Sequence, residues 1–111
     1  MTVLTILIQE KGYRGFRVTG HSGYGESGSD IVCATVSSAV QQTMIALTGI
    51  MNLSTEATVS EESAEIAYLL PVQMTPEQRS VTDIILKAFE ENCLAISGEY
   101  PEYVRVTRTE V

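Results

Sequence analysis

Residues 31–51, IVCATVSSAVQQTMIALTGIM, set Val36, Val40, Met44, Leu47 and Met51 at three- and four-residue steps. That spacing lines up on one side only in a helix, and the side it forms has to be covered by another element. Asp30, a good N-cap residue, stands just ahead, so a helix is expected to begin there. A second helix start is spelled by Thr75-Pro76-Glu77-Gln78, with a Thr cap, Pro at the first position and Gln completing a capping box. It is predicted to run through SVTDIILKAFEENCLAIS and to end at Gly98. Small residues Ala34, Ser37, Ser38 and Ala39 on the first helix allow another element to approach closely.

The remaining segments alternate. Val3 to Gln9 is β-branched and reads as a strand, EKGYRG as a turn, and YRGFRVTG as the returning strand of a hairpin. STEATVS and AEIAYLLP form a second hairpin around the polar turn EES, and YVRVTRT closes the chain as a last strand. The order is ββαββαβ, an α+β fold with two helices packed on a mostly antiparallel sheet. At 111 residues, with 44% hydrophobic and 19% charged residues, the chain has the size and balance of one domain, residues 1–111.

Composition narrows the function classes. No apolar run is expected to approach the roughly 18 to 20 residues of a membrane span, and MTVLTILIQEKG lacks the basic start and cleavage site of a signal peptide. Two cysteines and one histidine fit a reducing, cytoplasmic setting without a disulfide framework. They supply too few soft ligands for a structural zinc site, and neither a metal nor a cofactor is expected. The net charge of −7 repels nucleic-acid phosphates and anionic membranes and favours a basic protein or peptide as partner.

Between the second strand and the first helix lies GHSGYGESGSDIVCATVSSA, residues 20–39, with the only histidine and one cysteine. Gly23 to Gly28 spells G-x-G-x-x-G, yet the preceding strand belongs to a hairpin and no parallel strand with a terminal acid follows in register. Glu26 and Asp30 would sit where a pyrophosphate belongs, which leaves a nucleotide-binding module as the least favoured reading, and no Lys follows the last glycine, so a P-loop is excluded. A thiol reading fits better. A catalytic cysteine must ionise near neutral pH, below the ordinary value of about 8.5. With Asp30 as N-cap, Cys33 is the third helical residue, where unpaired N–H groups concentrate positive potential and could also form an oxyanion hole. His21, flanked by Gly20 and Gly23, can be brought beside it as a proton acceptor. Each residue has a plainer reading too. Cys33 is a small residue to pack, His21 a strand-end residue, Asp30 a cap, and Ser37 a close helix contact rather than a site wall. Cys93, among Phe89, Leu94 and Ile96, reads as core.

The same segment resembles the signature of the ribosomal-processing cysteine protease (Prp) family: a Gly-His pair, a glycine-rich loop, and Asp-Ile-Val-Cys-Ala followed by Val-Ser. Ser22 departs from the small Ala more usual there. The resemblance extends along the whole chain in length and element order. It implies that Cys33 is the nucleophile and His21 the general base, with Asp30 and Ser37 at further motif positions. Gly20, Gly23, Gly25 and Gly28 match the loop that opens for substrate and closes over it. It also implies a homodimer that removes the N-terminal extension of large-subunit ribosomal protein twenty-seven, a cationic substrate that suits an acidic enzyme. A non-catalytic ribosome-assembly protein holding a basic peptide tail is the alternative.

Overall fold

The protein is described by a computed structural model that covers all residues except Lys11 and residues 21–28, with Ser29 and Asp30 described in their backbone alone. The elements are β1 (Thr2–Gln9), β2 (Gly12–Thr19), α1 (Ser29–Met44), β3 (Glu56–Ser60), β4 (Glu65–Leu69), α2 (Pro76–Glu99) and β5 (Val104–Glu110). One sheet holds all five strands in the order β3-β4-β2-β1-β5. β1–β2, β2–β4 and β3–β4 pair antiparallel, and β1–β5 pair parallel. The expected α+β order and mostly antiparallel sheet are therefore found, with a parallel edge.

Alternation along the strands divides the sheet into two faces. Leu4 and Ile6 of β1, Phe16 of β2, Tyr68 of β4 and Val104 of β5 point into one core. They meet Val32, Val36 and Val40 of α1 and Leu86, Phe89, Cys93 and Ile96 of α2. Phe16 anchors this core, stacked on Tyr68 at 5.2 Å between ring centroids and tilted on Phe89 at 4.6 Å. Gly15 makes the Phe16–Tyr68 approach possible, because a Cβ there would lie 1.9 Å from the Tyr68 carbonyl oxygen.

The helices differ from expectation at three ends. α1 starts at Ser29, so Asp30 lies inside the helix instead of capping it, and Cys33 is its fifth residue. Beyond Met44 the helix continues as a π-helical stretch, Ile45–Ile50, with the Met51 N–H donating to the Ala46 carbonyl at 2.9 Å. Asn52, in the left-handed region at φ 57°, ends it. Ile31–Ile50 is thus a continuous uncharged helical stretch of 20 residues with mean hydropathy 1.4. By length and composition it is apolar enough to cross a membrane, contrary to the expectation that no such run exists. Its Val32, Val36, Val40 and Leu47 are buried in the core, while Ile31, Ile45 and Ile50 are exposed. α2 has the capping box spelled by its sequence. Gln78 N–H donates to Thr75 Oγ1 at 3.1 Å, and Thr75 N–H donates to Gln78 Oε1 at 2.9 Å. It does not stop at Gly98 but runs through Glu99 to a cap at Tyr100. Pro101 is the reason, since it disfavours helical geometry in the residue before it.

Candidate active site

The strand register decides where the site can be. Val3 faces Thr19, Thr19 faces Glu65, and Glu65 faces Ser60. The start of β1, the end of β2, the start of β4 and the end of β3 therefore lie at one end of the sheet. Nine residues separate the end of β2 from the start of α1, and the first turns of α1 return to this same end.

Cys33 sits there, half-buried on α1. It opens onto a cavity of about 450 Å³ that is also bounded by Gly20, Val36 and Ser37. Cys33 and Ser37, one turn apart, share the helix face toward the cavity. Gly20 is held firmly: its N–H donates to the Ala64 carbonyl at 3.1 Å, and at φ +83° a Cβ would lie 2.3 Å from the Met1 carbonyl oxygen. Only glycine fits that turn and approach. His21, Ser22, Gly23, Gly25 and Gly28, and the side chain of Asp30, lie outside the described residues.

The shift of the helix start changes the electrostatic argument for Cys33. In a helix that begins at Ser29 the N–H of residue 33 faces the carbonyl of residue 29. The unpaired N–H groups lie one turn before the sulfur, where the helix field has begun to fall off. Cys93 differs in every respect. It is fully buried, and burial, with the Glu90 carboxylate adding to it, pushes its thiol up to about 12.

The opposite wall of the cavity escaped sequence reasoning. Val59, Ser60 and Glu61, at the end of β3 and in the turn after it, line the cavity with Ile66 of β4. The turn was legible as a turn, but only the register brings it alongside Cys33. Among the described residues no group of three His, Cys, Asp or Glu side chains could hold a metal.

The comparisons with known proteins bear on the family and the fold. The model of the family described as Cysteine protease Prp matches residues 1–105. The Ribosomal processing cysteine protease Prp of Bacillus subtilis (strain 168) is 26% identical over 98 residues, covering 88% of each chain. In fold, the chain is similar to SMU.848 from Streptococcus mutans, with a TM-score of 0.83 and 22% identity over 100% of this chain and 96% of that one. It is also similar to the S. aureus ribosomal processing protease Prp in complex with a substrate peptide. There the TM-score is 0.81 and the identity 19%, over 98% of this chain and 100% of the other. A five-stranded sheet under two helices, a half-buried cysteine at its end and a family match over nearly the whole length lead to one conclusion: the chain belongs to the cysteine protease Prp family.

Proposed function

We propose that this protein, acting as a single domain, is a cysteine endopeptidase that removes the N-terminal extension of large-subunit ribosomal protein twenty-seven in the cytoplasm, with Cys33 as nucleophile and His21 as general base. One observation carries the reading: in a chain of the Prp family, Cys33 opens onto a cavity at the sheet end, and Gly20, the residue before His21, lines the same cavity. The family match supports the enzyme class, and the name of the Bacillus subtilis relative supports ribosomal processing. The S. aureus relative was solved with a substrate peptide, which supports a peptide as the ligand.

The chemistry is acyl transfer. His21 takes the thiol proton, and the Cys33 sulfur forms a bond to the scissile carbonyl carbon. The C–N bond then breaks as His21 hands that proton to the leaving amine. His21 next deprotonates water, which adds to the acyl carbon and releases the sulfur with its proton restored. Because the unpaired helix N–H groups lie a turn before Cys33, His21 carries the larger part of the activation. Ser37 is a wall residue of the site, and Asp30 supports it from the first turn of α1. The glycines at 23, 25 and 28 supply the freedom for a loop that closes over substrate. The enzyme works as a homodimer.

The test is cleavage of a synthetic peptide spanning the junction of that ribosomal protein from the same organism. The wild-type protein is expected to cut it once, and Cys33→Ala to bind it without cutting. A wild-type protein that binds the peptide and never cuts it would replace the protease reading with that of a carrier for a basic tail.

A further inference from the structure

The cavity beside Cys33 has two kinds of wall. Val18, Val36, Val59 and Ile66 make its floor and sides apolar. Val59 is 66% exposed although it lies on the helix-side face of the sheet, paired across from Ile66. This is possible because β3 is an edge strand exposed along nearly its whole length. Among the described residues the cavity is thus one side of an open groove rather than a closed hole. Its volume of about 450 Å³ lies within the roughly 300–1,000 Å³ of ordinary ligand clefts.

Two acidic residues border it, in different circumstances: Glu65, next to Ile66 on β4, turns its side chain to the other face of the sheet. Glu65 is already paired with Arg17 at 3.4 Å. Glu61, exposed in the turn between β3 and β4, has no side-chain hydrogen bond or ion pair among the described residues. An acidic group left over at the edge of an apolar groove, in a chain of net charge −7, complements a cation that arrives with an apolar neighbour. We propose that this groove selects a peptide in which an apolar side chain is flanked by lysine or arginine, and that Glu61 is the residue that reads the basic side chain. The inference rests on Cys33 being the nucleophile, and it adds the substrate feature that this chain's own walls recognise.

The strength follows from exposure. A single solvent-facing ion pair contributes about 0.2–1 kcal/mol, so the discrimination between Lys and Gln at the read position is about 1.4- to fivefold. Reversing one charge adds repulsion, and the swing between a Lys and a Glu peptide reaches about tenfold.

The test uses a synthetic library in which Lys, Gln or Glu occupies each position around one fixed apolar residue, incubated with the wild-type protein, Glu61→Gln and Glu61→Lys. Cleavage is read by mass spectrometry, and binding by fluorescence anisotropy with each protein in a Cys33→Ala background. The wild-type protein is expected to prefer Lys at one position, Glu61→Gln to lose most of that preference, and Glu61→Lys to invert it toward Glu. The change should fall mainly on KM and weaken at high salt. Inversion by the charge swap also rules out a merely structural role, which no acidic peptide could rescue. Cleavage with the same preference in all three proteins would overturn this inference and leave the protease reading intact. A charge-dependent swing in binding with no cleavage would do the reverse, and neither cleavage nor a swing would overturn both.

Discussion

Cys33 and Cys93 carry the same side chain into two settings sixty residues apart. Cys33 is half-buried at a cavity, while Cys93 lies inside the core with its thiol pushed up to about 12. At neutral pH a group of that value is thiolate in about one molecule in 10⁵, and only the thiolate attacks an alkylating reagent. Iodoacetamide should therefore label Cys33 in the native protein and leave Cys93 untouched, with both labelled once the chain is unfolded. His21→Ala should slow the native reaction at Cys33 at pH 7, because the imidazole is the residue credited with holding its proton. Equal, slow labelling of both cysteines in the native state, read by peptide mass mapping, would remove the nucleophile assignment. The position of Cys33 was legible because a histidine, a glycine-rich loop, an aspartate and a small-residue helix stand in one segment of twenty residues. Glu61 was not, since nothing in EES says what the turn faces. That depends on strand pairing between residues far apart, with Ser60 opposite Glu65 and Thr19 in turn opposite Glu65.

At the scale of elements, α2 is tied to the sheet by a polar cluster at the end away from Cys33. Glu90 is buried on the inner side of α2, accepting from Tyr13 Oη at 2.8 Å and from the Arg108 guanidinium at 2.6 and 3.0 Å. The Arg108 hydrogen bonds hold its carboxyl below the usual value, against the effect of burial, and Tyr13 lowers it further. The sign follows from linkage. A carboxyl lowered in the folded state stabilises the fold above its unfolded value of about 4.3, and that contribution is lost as pH falls through the lower folded value. Tyr13→Phe removes one hydrogen bond to a charged acceptor, which should cost about 1.5–3 kcal/mol at pH 7 and less once the pH has fallen through the lowered folded value of Glu90. Urea unfolding of the two proteins over a pH series from 7 to 2 measures this, and a difference unchanged across the whole series would show that the Tyr13 bond does not depend on the charge of Glu90. The strands and both helices could be read from periodicity and the capping box, whereas this cluster could not. Tyr13, Glu90 and Arg108 come from three elements, and nothing local marks them as partners. Helix ends were half legible. Thr75 caps as spelled, but Gly98 does not terminate the helix; Pro101, two residues past the last helical residue, decides the end instead.

At the scale of the molecule, the two helices cover the inner face of the sheet, and their own outer surface is unusually apolar. Ile84 is 71% exposed and lines a groove between α1 and α2 with Ala39, Ala46 and Ala88, and Ile45 stands 59% exposed on the π-helical continuation of α1. Solvated helix faces of small domains ordinarily carry charge there. This face offers branched apolar knobs beside shallow alanine-lined space, which suits self-complementary packing of a second copy. The proposed homodimer would use it. Sedimentation equilibrium should give twice the 12.1 kDa chain mass. Ile84→Lys should weaken association by about 2 kcal/mol, roughly thirtyfold in the dissociation constant, as expected for an apolar anchor lost from an interface centre. Salt provides an independent check. Each copy has a net charge of −7, so association opposes two like charges, and raising the ionic strength should tighten the dimer. A dimer held instead by ion pairs would loosen under the same change. A wild-type chain that sediments at 12.1 kDa at micromolar concentration in both low and high salt would rule the dimer out. The exposed isoleucines would then be a surface for some other apolar partner.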